Sequence, residues 1–441
     1  MLLVGAHVGL LGVHDLAGRP WATLGLLTVA FAALAWSVFG IARVHFSAAW
    51  VLGVAVVLRV LLLPLPATLS DDVLRYLWDG EVVAAGFNPY AVAPEADELA
   101  GLRDADWEVM PHRDVETVYP PLALGLFSIA AALPQPLLSW KLLLVAAELL
   151  GCAILLRVAV LLGVGARRVA LYAWNPLVTL EVAGMGHVDA LGVTLVVATV
   201  WALIVGRRWA PLAAAGGVLV KLVPILVVPL WARRAPRPAL FLTVCALTVV
   251  AGLAPVFALT GGVPPGWVRL GVSWEFNGPL YEPLWRTLEA LRLDLGVKSI
   301  FDGMKSLTGA HEFWNLFYPW VYPRLLAKGL LAGLLGWLLW RIWRLPEPGP
   351  AGESPARAAE VTGRTFAALV LCSATVYPWY LLWMLPWAAL TLQRAWLSLS
   401  VLVVLSYLPQ VSALPMMPWV FAAIWVPFFL LLWHDRSWSI G

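Results

Sequence analysis

Residues 70–80 read Ser70-Asp71-Asp72-Val73-Leu74-Arg75-Tyr76-Leu77-Trp78-Asp79-Gly80. The segment holds three carboxylates and one arginine, and it closely follows an apolar run, Ala48 to Pro66, that is long enough to cross a bilayer. In a helix, four of its side chains fall at i, i+3, i+4 and i+7 and share one face. These are Asp72, Arg75, Tyr76 and Asp79, with Asp71 beside them. The spacing therefore predicts a charged helical face next to a membrane surface.

The composition is that of a membrane protein. Hydrophobic residues make up 61% of the 441 residues and charged residues 12%, whereas a soluble domain carries about 25% charged residues. The mean hydropathy is +0.84. We therefore predict an all-α polytopic integral membrane protein with roughly 11–14 transmembrane helices and further helices along its outer surface. The three cysteines lie inside apolar runs, so neither a disulfide nor a cysteine metal site is expected.

The apolar runs divide the chain into five parts. These are N-terminal transmembrane helices (1–66), a first outer loop with the acids and juxtamembrane helices (67–136), a central transmembrane bundle (137–260), a second large outer loop (261–318) and C-terminal transmembrane helices (319–441) with a cytoplasmic linker (346–359). Basic residues stand at both ends of the stretch 207–237, which has the length of about one span. It is either one helix that breaks the charge rule or, as we favour, a hairpin of two half-length helices meeting near Gly216, Gly217 and Lys221.

Charge places the first long loop outside. Arg43 and His45 lie in the short loop before the run from Ala48 to Pro66, and basic residues collect in cytoplasmic loops. Residues 70–118 then carry twelve acidic residues against three arginines, which is unusual for a cytoplasmic loop. The acidic face is therefore predicted to lie on the non-cytoplasmic side.

Such a face suits general base catalysis. A single loop carboxylate is usually no more than a solvated residue, but two adjacent acids followed at helical spacing by Arg75, Tyr76 and Asp79 are too charged to bury without a role. A positioned carboxylate can accept the proton of an attacking hydroxyl group. When the leaving group is a phosphate, one such base is enough, because the phosphate departs without being protonated.

Several motifs resemble those of a known family. They are the segment 70–80 continued by Ala85-Gly86-Phe87-Asn88-Pro89-Tyr90, then Tyr119-Pro120-Pro121, Trp174-Asn175-Pro176, Gly186-His187-Val188-Asp189-Ala190, Lys221 with Pro224, and Tyr377-Pro378-Trp379-Tyr380-Leu381-Leu382-Trp383. In this order, from Ser70 to about Pro386, they resemble GT-C glycosyltransferases that use polyprenyl-phosphate sugars. The likeness is greatest to bacterial polyprenyl-phosphate-mannose-dependent mannosyltransferases.

The resemblance implies an activity and a location. The expected activity is inverting transfer of a sugar, by default mannose, from a polyprenyl-phosphate donor to a glycan or lipid-linked acceptor. The family's proposed base, an acid of the first outer loop followed by Arg and Tyr, maps onto Asp72, with Asp71 the second candidate. The expected place is a bacterial inner (plasma) membrane, with the active site on its non-cytoplasmic side. Membrane lipids are expected partners, and nucleic acid is not.

Ten residues are predicted to bind donor or acceptor. They are Arg75, Tyr76, Asp79, Tyr119, Asn175, His187, Asp189, Lys221, Tyr377 and Tyr380. Structural roles compete with several of these, since Asn175 can satisfy a carbonyl freed by Pro176 and Lys221 can snorkel to an interface. Related enzymes often carry His near Tyr377, so this chain departs from the family there. Arg269, Arg286 and Arg324 are further candidates for phosphate contact.

Two alternatives concern a metal and a different class of protein. Asp71 and Asp72 could bind Mg²⁺ or Mn²⁺, so a metal is optional and no cofactor is required. The rival class is a transporter or flippase of a lipid-linked glycan, which would spread charged residues through the middle of several spans. A noncatalytic scaffold would leave the acidic face without a role. Because the charges concentrate in outer loops, we favour the enzyme.

Overall fold

The computed structural model describes residues 1–40, 46–345 and 354–435. Arg43 and His45, residues 346–353 of the predicted linker, and Arg436 lie outside the described residues. Within the described ranges the chain is helical and forms no strand. Isolated β-bridges join Phe276 and Asn277 to Thr375. The prediction of an all-α fold is confirmed.

The α-helices are named in chain order. The first thirteen are α1 Leu2–Val13, α2 Pro20–Ala35, α3 Ala48–Leu62, α4 Asp72–Ala84, α5 Ala105–Val109, α6 Pro121–Ala131, α7 Pro136–Leu161, α8 Ala166–Ala173, α9 Pro176–Thr179, α10 Asp189–Ile204, α11 Ala210–Val220, α12 Val228–Ala232 and α13 Pro238–Thr260. They are followed by α14 Pro265–Ser273, α15 Tyr281–Ala290, α16 Leu293–Thr308, α17 His311–Asn315, α18 Pro323–Trp343, α19 Ser354–Cys372, α20 Leu385–Thr391, α21 Arg394–Leu402, α22 Leu408–Val411 and α23 Phe421–His434.

Shorter helical turns connect several of these helices. Turns of the 3₁₀ type lie at Asp97–Leu102, Val223–Leu226, Tyr318–Val321, Pro378–Trp383 and Val403–Tyr407, and π turns lie at Trp36–Gly40, Leu180–Gly184 and Met416–Val420. Helix α19 begins at Ser354, within the stretch predicted as a linker.

In the described part of the chain, six helical segments are long and apolar enough to cross a membrane. They are Pro20–Gly40, Pro136–Leu161, Pro238–Thr260, Pro323–Trp343, Arg394–Val411 and Met416–His434. A seventh candidate, Pro176–Gly184 with Asp189–Ile204, is bent by 120° at its break. Four further apolar helices, α1, α3, α6 and α11, have only 10–17 residues each. A polytopic membrane protein is thus confirmed, and the count of 11–14 stays a prediction.

Proline and capping residues set the helix boundaries that matter for the site. Ser47 caps α3, since its side chain accepts a hydrogen bond from the backbone N–H of Trp50. Helix α3 ends at Leu62, earlier than the predicted Pro66, because proline cannot continue a helix. The turn that follows α3 leads directly into α4.

The segment 207–237 breaks once near its middle. Helix α11 ends at Val220, Lys221 has an extended backbone, and a 3₁₀ turn beginning at Val223 follows. Pro224 in that turn prevents the helix from continuing. The expected break is present, and it lies at Lys221 rather than at Gly216 and Gly217.

The chain divides into two compact units. One comprises Met1–Leu270, Glu347–Gly363 and Pro378–Gly441, and the other Gly271–Pro346 and Arg364–Tyr377. In the first unit α4 packs on α6, α7 on α10 and α10 on α11. In the second unit α15 packs on α18 through Tyr281, Trp285 and Ala327.

Residues 261–318, predicted as the second outer loop, contain helices α14 to α17. Helix α16 has no buried side chain, and its leucines and Ile300 are exposed. Such a helix suits the membrane interface, and that location stays a prediction.

Candidate functional site

Helix α4 lies in residues 67–136, the segment predicted as the first outer loop, and Arg75 joins α4 to the chain around residues 112–115. The Arg75 guanidinium forms a salt bridge of 2.8 Å with Asp79. It also donates hydrogen bonds to the backbone carbonyls of His112, at 2.8 Å, and Val115, at 2.6 Å. Thr117 donates to the other Asp79 oxygen at 2.6 Å. Both carboxylate oxygens of Asp79 are therefore occupied, which gives Arg75 and Asp79 a loop-holding role.

Asp72 lies in the first turn of α4, and the groups that act on its carboxylate include Tyr76, Lys221 and Asp189. Its side chain is half-buried, whereas that of Asp71 is exposed. Loss of hydration on burial, followed by the negative charge of Asp71, raises the pKa of the Asp72 carboxyl from 3.8 to about 7. The positive charge of Lys221 opposes this shift. A hydrogen bond from Tyr76 also favours the charged form. Asp72 can thus exchange a proton near neutral pH.

An aromatic cluster backs Asp72. The ring of Tyr76 stacks on Phe127 with centroids 4.8 Å apart and meets the edge of Tyr119 at 5.0 Å. Helix α4 approaches α6 closely because residue 80 is glycine: a Cβ there would lie 2.5 Å from the backbone of Phe127. The predicted roles of Tyr76 and Tyr119 in binding donor or acceptor stay predictions.

Lys221 and Asp189 form an ion pair whose charges act on Asp72, with the aspartate buried and the lysine partly exposed. The Lys221 Nζ lies 2.7 Å from Asp189 Oδ1 and 4.6 Å from the centre of the Tyr380 ring. Trp383 donates an indole hydrogen bond to the same Asp189 oxygen. The charges of Lys221 and Asp189 both act on Asp72. The break at Lys221 and the bend before Asp189 therefore bring two helix ends to one place.

A second polar group adjoins this pair, and the sequence prediction missed one of its members. The Nε2 of His187 lies 3.3 Å from Glu181 Oε2, and Tyr407 donates a hydrogen bond of 2.7 Å to the other oxygen of Glu181. Trp379 stacks on the His187 ring at 3.9 Å. Glu181 is fully buried. A lone acid inside an otherwise apolar run was the signal for it.

Several other predicted site residues have partners of their own. Asn175 caps α9 through the N–H of Leu177 and donates to Ser400, so its amide is used within the protein. Tyr377 belongs to the other unit, where it stacks on Phe276 at 4.6 Å. Each of the three candidate arginines has an acidic partner: Arg269 with Asp114, Arg286 with Glu282 and Arg324 with Glu275.

Charges also occur inside the apolar helices, contrary to the expectation that they concentrate in outer loops. Arg59 in α3 and Glu148 in α7 are fully buried and form a two-armed salt bridge of 2.7 and 2.8 Å. Arg59 also donates to the carbonyls of Ala55 and Ala173. The Arg59 guanidinium and the Glu148 carboxylate thus find their hydrogen-bond partners within the protein, which indicates a structural role.

The residues present do not form a dedicated metal cage. Among the described residues, no group of three or more His, Cys, Asp and Glu side chains is arranged to hold a metal ion. A cation bound by Asp71 and Asp72 together with substrate oxygens stays a prediction.

The described helices define a polytopic helical membrane protein, and its candidate site groups the Asp72 carboxylate with Lys221 and Asp189. Residues 8–235, just over half of the chain, match the family model described as alpha-(1->6)-mannopyranosyltransferase, N-terminal domain. The chain belongs to this family, and its activity is that of a mannosyltransferase. No curated protein and no solved structure gave a match. The matched range includes Asp72, Asp189 and Lys221.

Proposed function

We propose that this mannosyltransferase takes mannose from a polyprenyl-phosphate donor and transfers it to a glycan or glycolipid acceptor with inversion. The supporting observation is the half-buried Asp72 carboxylate, which has a pKa of about 7 and lies close to the Lys221–Asp189 pair. A base whose pKa is near the working pH is the most effective kind. Asp71 is exposed and is the second candidate.

In the proposed step, Asp72 accepts a proton from an acceptor hydroxyl. The acceptor oxygen forms a bond to the anomeric carbon while the bond from that carbon to the phosphate oxygen breaks. The electron pair of the broken bond leaves with the polyprenyl phosphate, and the proton stays on Asp72. No second carboxylic acid is needed, because the leaving phosphate is stable as an anion.

The linkage that the family forms constrains the stereochemistry and the attacking oxygen. An alpha-(1->6) linkage makes an O6 hydroxyl of the acceptor sugar the nucleophile. A single displacement inverts the anomeric carbon, so an alpha product requires a beta-linked donor. We therefore propose a beta-mannosyl phosphate as the donor.

Lys221 is the proposed contact for the donor phosphate. Its side chain is 21% exposed, whereas that of its partner Asp189 is fully buried. An ammonium that is partly accessible beside the base can offset the charge that develops on the leaving phosphate. Asp189, held by Trp383, would keep that ammonium in place. Tyr380, under the Lys221 ammonium, would line the same place.

The proposed site faces the non-cytoplasmic side of a bacterial inner membrane. The excess of acids over arginines in residues 70–118 supports this side. A donor with a lipid tail could then reach Asp72 from within the outer leaflet. Membrane lipids would surround the apolar helices.

The test uses purified protein in lipid vesicles with synthetic, radiolabelled mannosyl phosphates on a polyprenyl chain. We expect transfer from the beta-linked donor, and none from the alpha-linked donor or from a nucleotide-linked mannose. Equal transfer from the nucleotide sugar would contradict the proposed donor. Movement of labelled lipid between leaflets without any transfer would instead support the rival transporter.

A further inference from the structure

We propose, on the basis of the function proposed above, that Trp140 and Lys141 are positioning residues for the transfer reaction. These neighbours in α7 hold the chain leading to Asp72 and the turn leading to Asp189 at a fixed separation. Neither residue would touch the donor or the acceptor. They would act on the reaction only through the groups that they hold.

Trp140 fixes the turn before Asp189. Its indole N–H donates a hydrogen bond of 2.8 Å to the carbonyl of Gly186. The same ring packs against Phe127 at 5.0 Å and against Tyr76, one turn beyond Asp72, at 5.9 Å. Trp140 is fully buried. One side chain thus contacts both the α4 helix and the turn that carries His187 and Asp189.

Lys141 fixes the chain before Asp72. Its Nζ donates a hydrogen bond of 2.5 Å to the carbonyl of Leu65, in the turn between α3 and α4. The side chain is 1% exposed. No salt bridge to it is present in the described ranges of the chain. The ammonium therefore serves a backbone carbonyl rather than an acidic partner.

The burial of Lys141 is unusual for its position. It lies in the second turn of a membrane span, where a lysine normally extends its long side chain to the polar interface. Turning the ammonium inward removes its water, and a single carbonyl offsets only part of that penalty. Because this contact costs free energy, we infer that it serves to fix the position of the turn at Leu65, which leads to Asp72.

The three segments meet at Gly186. Its φ of +79° is strained for any side chain. A Cβ at residue 186 would also lie 3.3 Å from Val73, next to Asp72, and 3.6 Å from Lys141. The α4 helix, the α7 helix and the 185–188 turn are thus in van der Waals reach of one another. A shift of either clamp residue, Trp140 or Lys141, would change the position of Asp72 relative to Lys221 and Asp189.

The experiment compares Trp140→Phe, Lys141→Met and Lys141→Arg in the full chain in lipid vesicles. Trp140→Phe keeps a ring and removes only the donor, and Lys141→Arg keeps a donor for Leu65. Trp21→Phe, at a side chain 65% exposed, and Lys298→Met, at an exposed lysine, are the matched controls. The readouts are kcat, the donor KM, and the pH at which kcat is half-maximal on the acid side, all per mole of monodisperse protein.

We expect kcat to fall about 10- to 100-fold in Trp140→Phe and Lys141→Met, with the donor KM changed less than about threefold. We also expect the acid limb to move to lower pH by about half a unit or more, because a looser Asp72 site admits water. Lys141→Arg should recover part of kcat. The controls should match the parent protein.

Several outcomes would overturn the positioning role. An unchanged kcat would show that the contacts are merely structural. The same conclusion would follow if activity fell only in proportion to the yield of folded protein and the acid limb of the pH profile did not move. A large rise of the donor KM alone would make Lys141 a binding residue instead. If Lys141→Met does not fold, Trp140→Phe and Lys141→Arg decide on the same criteria. Full transfer by Asp72→Asn would contradict the proposed base, whereas an inactive Asp72→Asn with unaffected clamp variants would overturn only the clamp.

Discussion

The Nζ of Lys221 lies 2.7 Å from Oδ1 of Asp189, although 32 residues separate them in the chain. Trp383 donates to the same oxygen, and the second oxygen, Oδ2, has no hydrogen-bond partner among the described residues. A fully buried carboxylate oxygen of this kind can accept a hydrogen bond from a sugar hydroxyl. In the proposed mechanism, Asp189 would hold Lys221 with one oxygen and orient a substrate with the other.

This relationship predicts how the pair responds to mutation. Lys221→Met should weaken donor use, raising the donor KM and lowering kcat by about tenfold each, because one charged hydrogen bond to the phosphate is lost. Asp189→Asn should change the donor KM and kcat by a similar factor. The double variant should lose less than the two single losses combined, because the residues act as a pair. Initial rates at varied donor concentration measure these effects.

Lys298→Met is the control for Lys221→Met, since Lys298 is exposed in α16. It should leave both constants unchanged. Full additivity in the Lys221 and Asp189 cycle would show that the two side chains act independently, and it would contradict their role as a pair.

The pH dependence follows from the environment of Asp72. Burial, and next Asp71, raise the pKa of its carboxyl to about 7, and only the deprotonated form can accept the acceptor's proton. We therefore expect kcat to be low at acidic pH and to rise through about pH 7. Single-turnover transfer between about pH 5 and pH 9 measures this limb. A flat profile over the acidic half of that range would argue against Asp72 as the base.

Arg75 should matter for stability of the outer loop. Arg75→Gln leaves the buried Asp79 carboxylate without its cation and two loop carbonyls with weaker donors, so unfolding should become easier by about 3–5 kcal/mol. Thermal unfolding in detergent provides the measurement. The matched control is Arg286→Gln, whose ion-pair partner Glu282 is four residues away and whose own side chain is 47% exposed. Because its arginine is about half exposed, that pair should contribute less than about 1 kcal/mol. Equal losses in both variants would contradict the loop-holding role.

Two glycines offer a test of the contact between α4 and α6. Gly80→Ala should destabilise the protein by about 1–3 kcal/mol, because the added Cβ meets the Phe127 backbone at 2.5 Å. Gly125→Ala, in α6, meets nothing within 4 Å and should be neutral or stabilising by up to about 1 kcal/mol. The melting temperature of Gly80→Ala should therefore fall, whereas that of Gly125→Ala should stay the same or rise. A tolerated Gly80→Ala would show that the helices are not held this closely.

The sequence predicted the helix at the site, but it did not predict which partner each of the helix's side chains would contact. Periodicity placed Asp72, Tyr76, Arg75 and Asp79 on one face of α4, and the helix is present. The structure pairs Arg75 with Asp79 and a loop, and it leaves Asp72 with Tyr76. Spacing along a helix fixes neighbours on that helix, but it contains no information about which other segment each side chain will meet.

Long-range contacts were beyond the sequence for the same reason. A break near Gly216, Gly217 and Lys221 was predicted from the charges at both ends of the segment 207–237, and the structure has it at Lys221. That this break would bring Lys221 to Asp189 depends on how α10 packs on α11. Glu181 was overlooked because a single acid in an apolar run is a weak signal until His187 and Tyr407 are seen around it.

The most direct test of the central claim is transfer of mannose from a synthetic beta-linked polyprenyl-phosphate donor by Asp72→Asn, with Asp71→Asn as its matched control. Asn keeps the size of the side chain and removes the base, so Asp72→Asn should lower kcat by about 10²–10⁴-fold while the donor still binds. Asp71→Asn, at an exposed side chain, should keep most of the activity. Transfer by Asp72→Asn at the parent rate, or a loss confined to Asp71→Asn, would contradict the assignment of Asp72 as the catalytic base.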